Sequence, residues 1–512
     1  MPAPDPSAPR CWTLALGHDR VDVEVAAEDD ATVDDVLAVL VGGSVGGRLG
    51  AAAAGGLWSG ASRLPSGCPL GADELRHGAV LGLGGPAAAD GAADRPSALE
   101  LRVVGGPDAG RRSALPQGGH LVGRGAGSVV GLQDPGVSRR HVELHVGAGT
   151  VRVTDAGSVN GSTLGDRELG AGPSTWSAGA RLRLGATTLT VAGPDHVLAA
   201  LEPGGAGRVR LRPPVRIPAA SPVVEVAFPA PPVPPPPRRT AWLAVALPAV
   251  GGGVLAWFTG MPTFLFFALL GPVVALASWW SDRRSGRRTH RAELAEHAAR
   301  RAAAEESLAT AVRGAVDDLH RRHPDLATLA AAAQRRTALL WSRRTADPDA
   351  TVVRLGTGEG PTGVLRAEPD GTRRPEQAPG VPVAVDLRRG GLGVAGPRDR
   401  TAAVLRSAVV QLAALHPPDV LELLLVTTPQ RLPDWRWARW LPHLGAGAVV
   451  VLDADAGDAA RALRRRLDAL VAGRRRAGGP PADPAGWPGP WSVVVVDGPV
   501  PGPLASALRD AA

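Results

Sequence analysis

The sequence of 512 residues contains no lysine and no tyrosine. The phosphate-binding loop of P-loop ATPases, G-x-x-x-x-G-K-[ST], requires a lysine that reaches the phosphates. This chain therefore cannot build that loop. Its 56 basic residues are all arginine, and its net charge is only +7. The uniform use of arginine is typical of a GC-rich coding bias, so we infer no function from it.

The sequence also lacks the patterns of metal and covalent chemistry. Its two cysteines, Cys11 and Cys68, form neither a metal-ligand spacing nor a disulfide framework, which fits a reducing compartment. No H-E-x-x-H spacing and no G-x-S-x-G elbow occurs. We therefore predict no catalytic residue, no metal site and no cofactor, and we expect that the chain is not an enzyme. The N-terminal MPAPDPSAPR has no apolar core, so no cleavable signal peptide is expected.

Periodicity predicts a multidomain chain that begins with a small α/β module over residues 1–90. Residues 12–16 and 21–25 alternate like a hairpin, and residues 33–41 have helical spacing. The order of these elements resembles a ubiquitin-like, or β-grasp-like, module. A degenerate copy of the β-sandwich that follows it in the chain is the competing interpretation.

Residues 97–195 are predicted to form an all-β sandwich, because short alternating runs are separated by turn signals. The clearest hairpin is HVELHVGAGTVRVTDA, in which apolar and polar residues alternate on both sides of a Gly-rich turn. Residues 213–237 are rich in proline, which favours an extended and semi-rigid spacer. A ligand for an SH3-type domain is the alternative for this linker.

Two uncharged apolar runs follow, at residues 241–258 and 264–280. Each is long enough to cross a hydrocarbon core of roughly 30 Å, and the short connection between them predicts a transmembrane helical hairpin over 241–280. Arginines flank both ends of the hairpin, and positively charged flanks stay in the cytoplasm. The sequence thus predicts a two-pass protein of the plasma membrane with both termini cytoplasmic and with the lipid bilayer as one partner.

An Arg-rich helical stalk is predicted over 282–346, broken near His323 and Pro324. Residues 351–512 then alternate between strand-like and helical patterns, which favours an α/β domain with a mostly parallel sheet. The strand-like runs are 383–386, 391–395, 421–427, 448–452 and 492–496.

Three short motifs in the sandwich region indicate a phosphate-binding surface. Gly123-Arg124 opens a loop, Ser138-Arg139-Arg140-His141 starts a strand, and Asn160-Gly161 follows another strand. Arginine offers a planar fork suited to two phosphate oxygens, serine offers a hydroxyl donor, and an asparagine amide can hold a peptide main chain.

These motifs, in this order and spacing, resemble the forkhead-associated (FHA) family of phosphothreonine-binding domains. The resemblance implies that the phosphopeptide-binding residues are Arg124, Ser138, Arg139 and Asn160, and that Gly123, His141 and Gly161 support the loops. The sequence departs from the family pattern at Val159, where many members have Thr or Ser. That change removes a hydroxyl and is expected to weaken affinity or alter selectivity for threonine.

The whole layout resembles the front half of FtsK/SpoIIIE-type ATPases of type VII secretion systems, whose motor domains would follow later in the chain. Gly391 to Gly396 match G-x-G-x-x-G, but neither a dinucleotide fingerprint nor a P-loop is complete. Two strand ends, at Asp453 and Asp497, have the shape of a Walker-B strand. We expect an ATPase-like scaffold that does not bind nucleotide. We also expect that Trp435, Trp437, Trp440 and His443 form a packed cluster, with an interaction surface as the alternative.

The function predicted from the sequence is that of a membrane-anchored phosphothreonine reader, which recruits a Ser/Thr-phosphorylated protein to a type VII secretion-like complex. A secretion ATPase subunit is a further expected partner, and no nucleic acid is expected. Two alternatives stay open. One is a non-catalytic part of a split or truncated secretion ATPase, and the other is a structural membrane scaffold with a decayed FHA site.

Overall fold

The structure is a computed structural model that describes residues 10–17, 19–28, 30–42, 47–86, 99–165, 167–177, 179–193, 197–204, 208–213, 215–216, 223–233, 242–261, 263–445, 448–452, 457–476 and 490–511. The chain divides into two compact units. The first comprises residues 1–219, 320–357 and 382–512, and the second comprises residues 220–319 and 358–381.

The first unit begins with a small α/β module. Its elements are β1 (Arg10–Leu16), β2 (Asp19–Val25), α1 (Val33–Gly42), α2 (Gly47–Ala53), β3 (Leu57–Ser59), β4 (Ser62–Arg63) and β5 (Val80–Leu83). The strands form one mixed sheet in the order β2-β1-β5-β3-β4, in which β1 and β5 are parallel. Trp12 is fully buried, and its indole Nε1 donates a hydrogen bond to the Leu75 carbonyl at 3.0 Å. The β-grasp-like interpretation of this module stays a prediction.

An all-β sandwich follows, as predicted for residues 97–195. Its strands are β6 (Glu100–Gly105), β7 (Arg112–Ala114), β8 (Gly118–Val122), β9 (Val142–Val146), β10 (Val151–Asp155), β11 (Ser162–Leu164), β12 (Arg167–Glu168), β13 (Ser174–Trp176), β14 (Leu182–Leu184) and β15 (Thr187–Ala192). One sheet has the order β13-β10-β9-β8 and the other the order β12-β11-β14-β15-β6-β7. On β9, Val142, Leu144 and Val146 alternate with exposed residues and enter a core that both sheets share. A separate hairpin, β16 (Ala200–Gly204) and β17 (Arg208–Arg212), follows the sandwich.

Part of the proline-rich segment, which we predicted to be an extended and semi-rigid spacer, is a strand of a sheet. Residues 224–227 form β18 (Val224–Ala227), which pairs in parallel with β19 (Val352–Ala367). Strand β20 (Arg373–Asp386) completes the three-stranded sheet. The Phe228 ring is buried beneath the Arg366 guanidinium, whose central carbon lies 4.0 Å from the ring centroid. The spacer prediction was therefore wrong for this stretch, because a distant strand supplies its hydrogen-bond partners.

The two apolar runs are helical and are joined by a short connection. They form α3 (Trp242–Thr259) and the start of α4 (Phe264–Arg322). Within the described part of the chain, however, no helix combines the length and the apolar character that crossing a membrane requires. The prediction of two transmembrane helices is thus not supported. Helix α4 also continues without a break into the predicted stalk and ends at the predicted interruption, and α5 (Leu326–Arg335) begins beyond it.

The C-terminal α/β domain has a parallel sheet in the order β22-β21-β23, built from β21 (Leu421–Thr427), β22 (Val449–Val451) and β23 (Trp491–Asp497). Helix α6 (Arg398–Leu415) shares one core with β21, and α7 (Gly457–Arg476) and α8 (Gly502–Ala511) share another. The predicted strand over 391–395 is absent: these residues form a loop ahead of α6. Two glycines, Gly391 and Gly393, interrupt that stretch and lower its strand propensity. Asp453 lies outside the described residues.

Candidate functional site

Three loops of the sandwich carry the predicted site residues. Arg124 lies after β8, Ser138 and Arg139 lie just before β9, and Asn160 lies between β10 and β11. Backbone and side-chain hydrogen bonds connect these loops to one another, so residues that are distant in sequence form one surface.

The first loop is bonded to the second through main-chain atoms. The Arg124 amide donates to the Ser138 carbonyl, and the Gly125 amide donates to the Arg139 carbonyl, both at 3.0 Å. Gly123 is required by this close approach, because a Cβ at its position would lie 2.3 Å from the Arg139 carbonyl oxygen. The Gly-Arg motif thus fixes the base of the Arg124 side chain beside Ser138.

The second loop is bonded to the third through two polar side chains. The Val159 amide donates to Ser138 Oγ at 3.2 Å, and Asn160 Nδ2 donates to the Gly136 carbonyl at 2.9 Å. Because Ser138 Oγ accepts in this contact, its hydroxyl proton remains available for an incoming acceptor. The Asn160 side chain keeps its Oδ1 and one amide proton for a ligand.

His141 connects the loops from beneath the surface. The imidazole is fully buried, its Nδ1 accepts from the Ser138 amide at 3.0 Å, and its Nε2 lies 3.1 Å from the Gly161 carbonyl. The accepting Nδ1 requires that Nε2 carries the proton and donates to Gly161. Gly161 has φ +70°, a left-handed conformation that favours glycine. Sequence reasoning placed both residues in a supporting role, and their contacts are those of supports.

Two aspartates that we did not single out from the sequence organise the same loops. The Asp134 carboxylate accepts from the Gly136 amide at 2.9 Å and from the Thr187 hydroxyl at 2.8 Å. The Asp155 carboxylate accepts from the Gly157 amide at 2.9 Å and from the Ser162 hydroxyl at 2.6 Å. In both loops an aspartate precedes a glycine by two residues, a turn signal that could have revealed them.

Both aspartates are held in the charged form. Burial acts to raise the pKa of Asp134 and of Asp155, but the hydrogen bonds from neighbouring amides and hydroxyls outweigh it and lower both pKa values below the usual range. The loops that present the site are therefore fixed by ionised carboxylates.

The surface itself is positively charged. Arg124 and Arg139 are both exposed, and within the described residues neither guanidinium has an ion-pair or hydrogen-bond partner. The next residue, Arg140, is instead paired with Glu143 at 2.7 Å. The site thus combines two unpaired guanidinium groups with a hydroxyl and an amide. These groups can bind a multiply charged anion, and since both imidazole nitrogens of His141 are engaged, this set has no free general base.

The other residues singled out from the sequence lie in the α/β domain, away from these loops in the chain. Trp435 is buried and stacks on Trp437 with ring centroids 6.0 Å apart, and His443 is also buried. The predicted cluster therefore joins Trp435 to Trp437, whereas the His443 ring lies beside Trp341, with ring centroids 6.5 Å apart, and the Trp440 ring lies beside His77. Asp497 is buried at the end of β23 and is paired with Arg398 at 2.8 Å.

Parts of the chain, including the sandwich, are similar to proteins already known. A family model described as "Inner membrane component of T3SS, cytoplasmic domain" matches residues 102–195. The "ESX secretion system protein EccC" of Thermomonospora curvata is 30% identical over 122 residues, with 20% of this chain and 9% of that protein covered. The "Oxoglutarate dehydrogenase inhibitor" of Corynebacterium efficiens is 41% identical over 92 residues, with 18% of this chain and 63% of that protein covered.

Solved FHA domains align as well. One, from "Structural and functional analysis of phosphothreonine-dependent FHA domain interactions", is 29% identical and covers 18% of this chain and 93% of that chain, at a TM-score of 0.17 that by itself supports no conclusion. The chain spans 9% of the length of the EccC protein above, so the similarity concerns only a part of that protein. Taken with the G-R, S-x-x-H and N-G motifs on connected loops, the chain contains a forkhead-associated domain and is similar to N-terminal parts of the EccC proteins of ESX, or type VII, secretion systems.

Proposed function

We propose that this chain binds a phosphothreonine peptide on the three connected loops of its FHA domain and recruits a Ser/Thr-phosphorylated protein to a type VII secretion-like assembly. The observation that carries this proposal is the exposed guanidinium of Arg124, which is unpaired within the described residues and whose main chain is bonded to that of Ser138, a residue with a hydroxyl oxygen that is already fixed. The FHA domain is a binding domain and not a catalytic one, and the proposed function requires only binding.

The chemistry of phosphothreonine fits these groups. A phosphorylated threonine carries a charge of roughly −1.5 to −2 at neutral pH and has three strong acceptor oxygens. In the proposed complex, the Arg124 fork takes two of these oxygens and the Ser138 hydroxyl donates to the third. Asn160, anchored to Gly136, holds the peptide main chain beside the phosphothreonine. Because loop–loop hydrogen bonds exist before the ligand arrives, little ordering cost opposes binding.

The experiment is fluorescence anisotropy of the full chain with a labelled phosphothreonine peptide library. We expect binding that requires the phosphate, and we expect Arg124→Ala to weaken it by at least tenfold, since hydrogen bonds to charged groups are worth about 1.5–3 kcal/mol. Arg140→Ala is the matched control, because Arg140 is an exposed arginine next to the site whose charge is already paired with Glu143. Equal binding of phosphorylated and unphosphorylated peptides would contradict the proposal.

Membrane attachment through the helical hairpin is a second part of the proposal. What supports it is a set of large apolar side chains that are exposed on α3 and at the start of α4, among them Trp257 at 84%, Phe258 at 83% and Phe266 at 81%. Arginines follow in α4, as expected beside an anionic lipid surface. Flotation of the full chain with anionic liposomes tests attachment. The variant Trp257→Asp/Phe258→Asp should remain in the unbound fraction, and recovery of this variant with the liposomes would contradict attachment.

The alternative function is that of a non-catalytic part of a split secretion ATPase. The similarity to EccC proteins favours it, and it is compatible with phosphopeptide binding. Co-purification with a motor ATPase that carries G-x-x-x-x-G-K-[ST], in a complex that forms equally well with Arg124→Ala, would support this function over phosphorylation-dependent recruitment.

A further inference from the structure

We propose that Arg139 recognises an acidic side chain of the bound peptide, on the side of the phosphothreonine opposite to the side held by Asn160. This inference rests on the proposed phosphothreonine binding and specifies which peptides the site prefers. It makes Arg139 a specificity-determining residue and assigns phosphate binding to Arg124 and Ser138.

Asn160 and Arg139 are attached to the second loop at different positions relative to Ser138. Asn160 is bonded to the Gly136 carbonyl, two residues before Ser138, at 2.9 Å. Arg139 follows Ser138, and its carbonyl accepts from the Gly125 amide at 3.0 Å. Along the second loop, Asn160 is thus fixed before the serine that is to meet the phosphate, and Arg139 follows that serine.

The aliphatic stem of Arg139 starts beside the first loop. A Cβ built at Gly125 would lie 3.4 Å from the Arg139 Cβ, so the stem of this arginine passes alongside Gly125. Gly125 belongs to the first loop, whereas Asn160 belongs to the third. The Arg139 side chain therefore starts beside Gly125 of the first loop, and the residue is exposed to solvent.

The site has more hydrogen-bond donors than the three terminal phosphate oxygens require. The planar fork of Arg124 and the hydroxyl of Ser138 together supply a donor for each of the three terminal phosphate oxygens. Arg139 adds five further N–H donors and a full charge, and within the described residues no carboxylate neutralises it. By contrast, Glu143 neutralises Arg140. A second acidic group on the peptide pairs with the remaining positive charge of Arg139.

The experiment uses the full chain and phosphothreonine peptides with alanine neighbours, in which a single glutamate is placed before or after the phosphothreonine. We expect glutamate to tighten binding by about threefold to fivefold on one side only, the size of an exposed ion pair. Arg139→Ala should abolish this gain while it changes the affinity for the all-alanine peptide by less than about twofold. Arg140→Ala, the matched control, should leave the gain intact. Arg139→Glu should reverse the preference, so that a lysine on that side tightens binding.

Two results would overturn the inference while phosphothreonine binding stands. The first is that Arg139→Ala weakens the all-alanine and the glutamate peptides by the same factor, which would mean that Arg139 contacts the phosphate. The second is that the glutamate gain survives in Arg139→Ala, which would assign it to the general positive field. If no phosphopeptide binds the unmodified chain, the proposed function fails, and this inference fails with it.

Discussion

The guanidinium of Arg398 makes a two-point contact with the carboxylate of Asp497, with N–O distances of 2.8 and 2.9 Å. The same carboxylate accepts from Arg431 at 2.9 Å and from Trp435 Nε1 at 2.8 Å. Burial acts to raise the pKa of Asp497, but the hydrogen bonds from Trp435 and Arg398 outweigh it and lower the pKa. Asp497 ends β23 and Arg398 begins α6, the two places where a nucleotide-binding α/β domain presents its acidic and phosphate-binding groups. Here these two places contact each other.

The first prediction concerns the stability that this carboxylate provides. Asp497→Ala leaves the Trp435 N–H buried without an acceptor and removes the counter-charge of two arginines. We expect the free energy of unfolding of the α/β domain to fall by about 2 kcal/mol. Urea denaturation followed by tryptophan fluorescence measures it. Asp434→Ala removes an exposed partner of Arg398 and should cost at most about 0.5 kcal/mol. Equal effects of the two substitutions would contradict a special role for the buried carboxylate.

The second prediction concerns His141, the buried residue beneath the binding loops. His141→Ala removes the acceptor of the Ser138 amide and the donor to Gly161, so two loops lose their common support. We expect at least tenfold weaker phosphopeptide binding and a loss of about 2 kcal/mol in stability. The matched control is His145→Ala on the exposed face of β9, which should change neither quantity. Wild-type affinity in His141→Ala would show that the loops keep their arrangement without the imidazole.

Elements that depend on local sequence could be predicted, whereas those that depend on distant contacts could not. Strand β21 has the bounds predicted for it, because a short run dominated by leucine and valine favours a buried strand wherever it lies. Strand β18 was missed because its partner β19 lies far along the chain, and proline-rich composition alone favours an unpaired segment. The order and spacing of the G-R, S-x-x-H and N-G motifs were enough to predict that the site residues share one surface. The supporting role of Asp134 was not foreseen: the Asp-x-Gly spacing marks only its local turn, and its contact with the distant Thr187 leaves no signal in the nearby sequence.

The third prediction concerns pH and His416. Burial lowers the pKa of His416 to about 4, with the nearby Arg343 charge acting in the same direction and the hydrogen bond to Leu412 opposing them. The unfolded chain, in which a solvated histidine titrates with a pKa of about 6.5, therefore takes up the proton first. Stability is complete above about pH 6.5 and is lost as the pH falls toward about 4. The loss is on the order of 3 kcal/mol, at roughly 1.4 kcal/mol for each pH unit.

Thermal unfolding of the full chain at a series of pH values measures this effect. We expect the midpoint of the α/β domain to fall between about pH 6.5 and about pH 4, and we expect the fall to be smaller in His416→Gln. His145→Ala, which removes an exposed histidine, should retain the full pH dependence. A midpoint that is constant across this range would show that His416 titrates in the folded chain as it does in the unfolded one.

The fourth prediction concerns Glu100, which joins the FHA sandwich to α5. The residue is 4% exposed, and its carboxylate contacts three arginines: Arg102 and Arg112 of the sandwich, each at 3.3 Å, and Arg335 of α5. Glu100→Gln keeps the shape of the side chain but leaves three guanidinium groups around a neutral amide. Removing one partner of a buried ion pair costs about 3–5 kcal/mol, so we expect a loss of this size in the stability of the sandwich.

The exposed pair of Glu202 and Arg212 provides the control. Glu202→Gln removes the same chemical group from a pair in which both side chains are about half exposed, and it should cost at most about 1 kcal/mol. If Glu100 acts through charge balance, the double variant Glu100→Gln/Arg335→Met should recover part of the loss, because it removes one of the three unbalanced charges. If the double variant is instead less stable than Glu100→Gln alone, Arg335 holds α5 against the sandwich by contacts other than this ion pair. Urea denaturation of the unmodified chain and the three variants, followed by the combined fluorescence of the tryptophans, which include Trp176 in the sandwich core, distinguishes the two results.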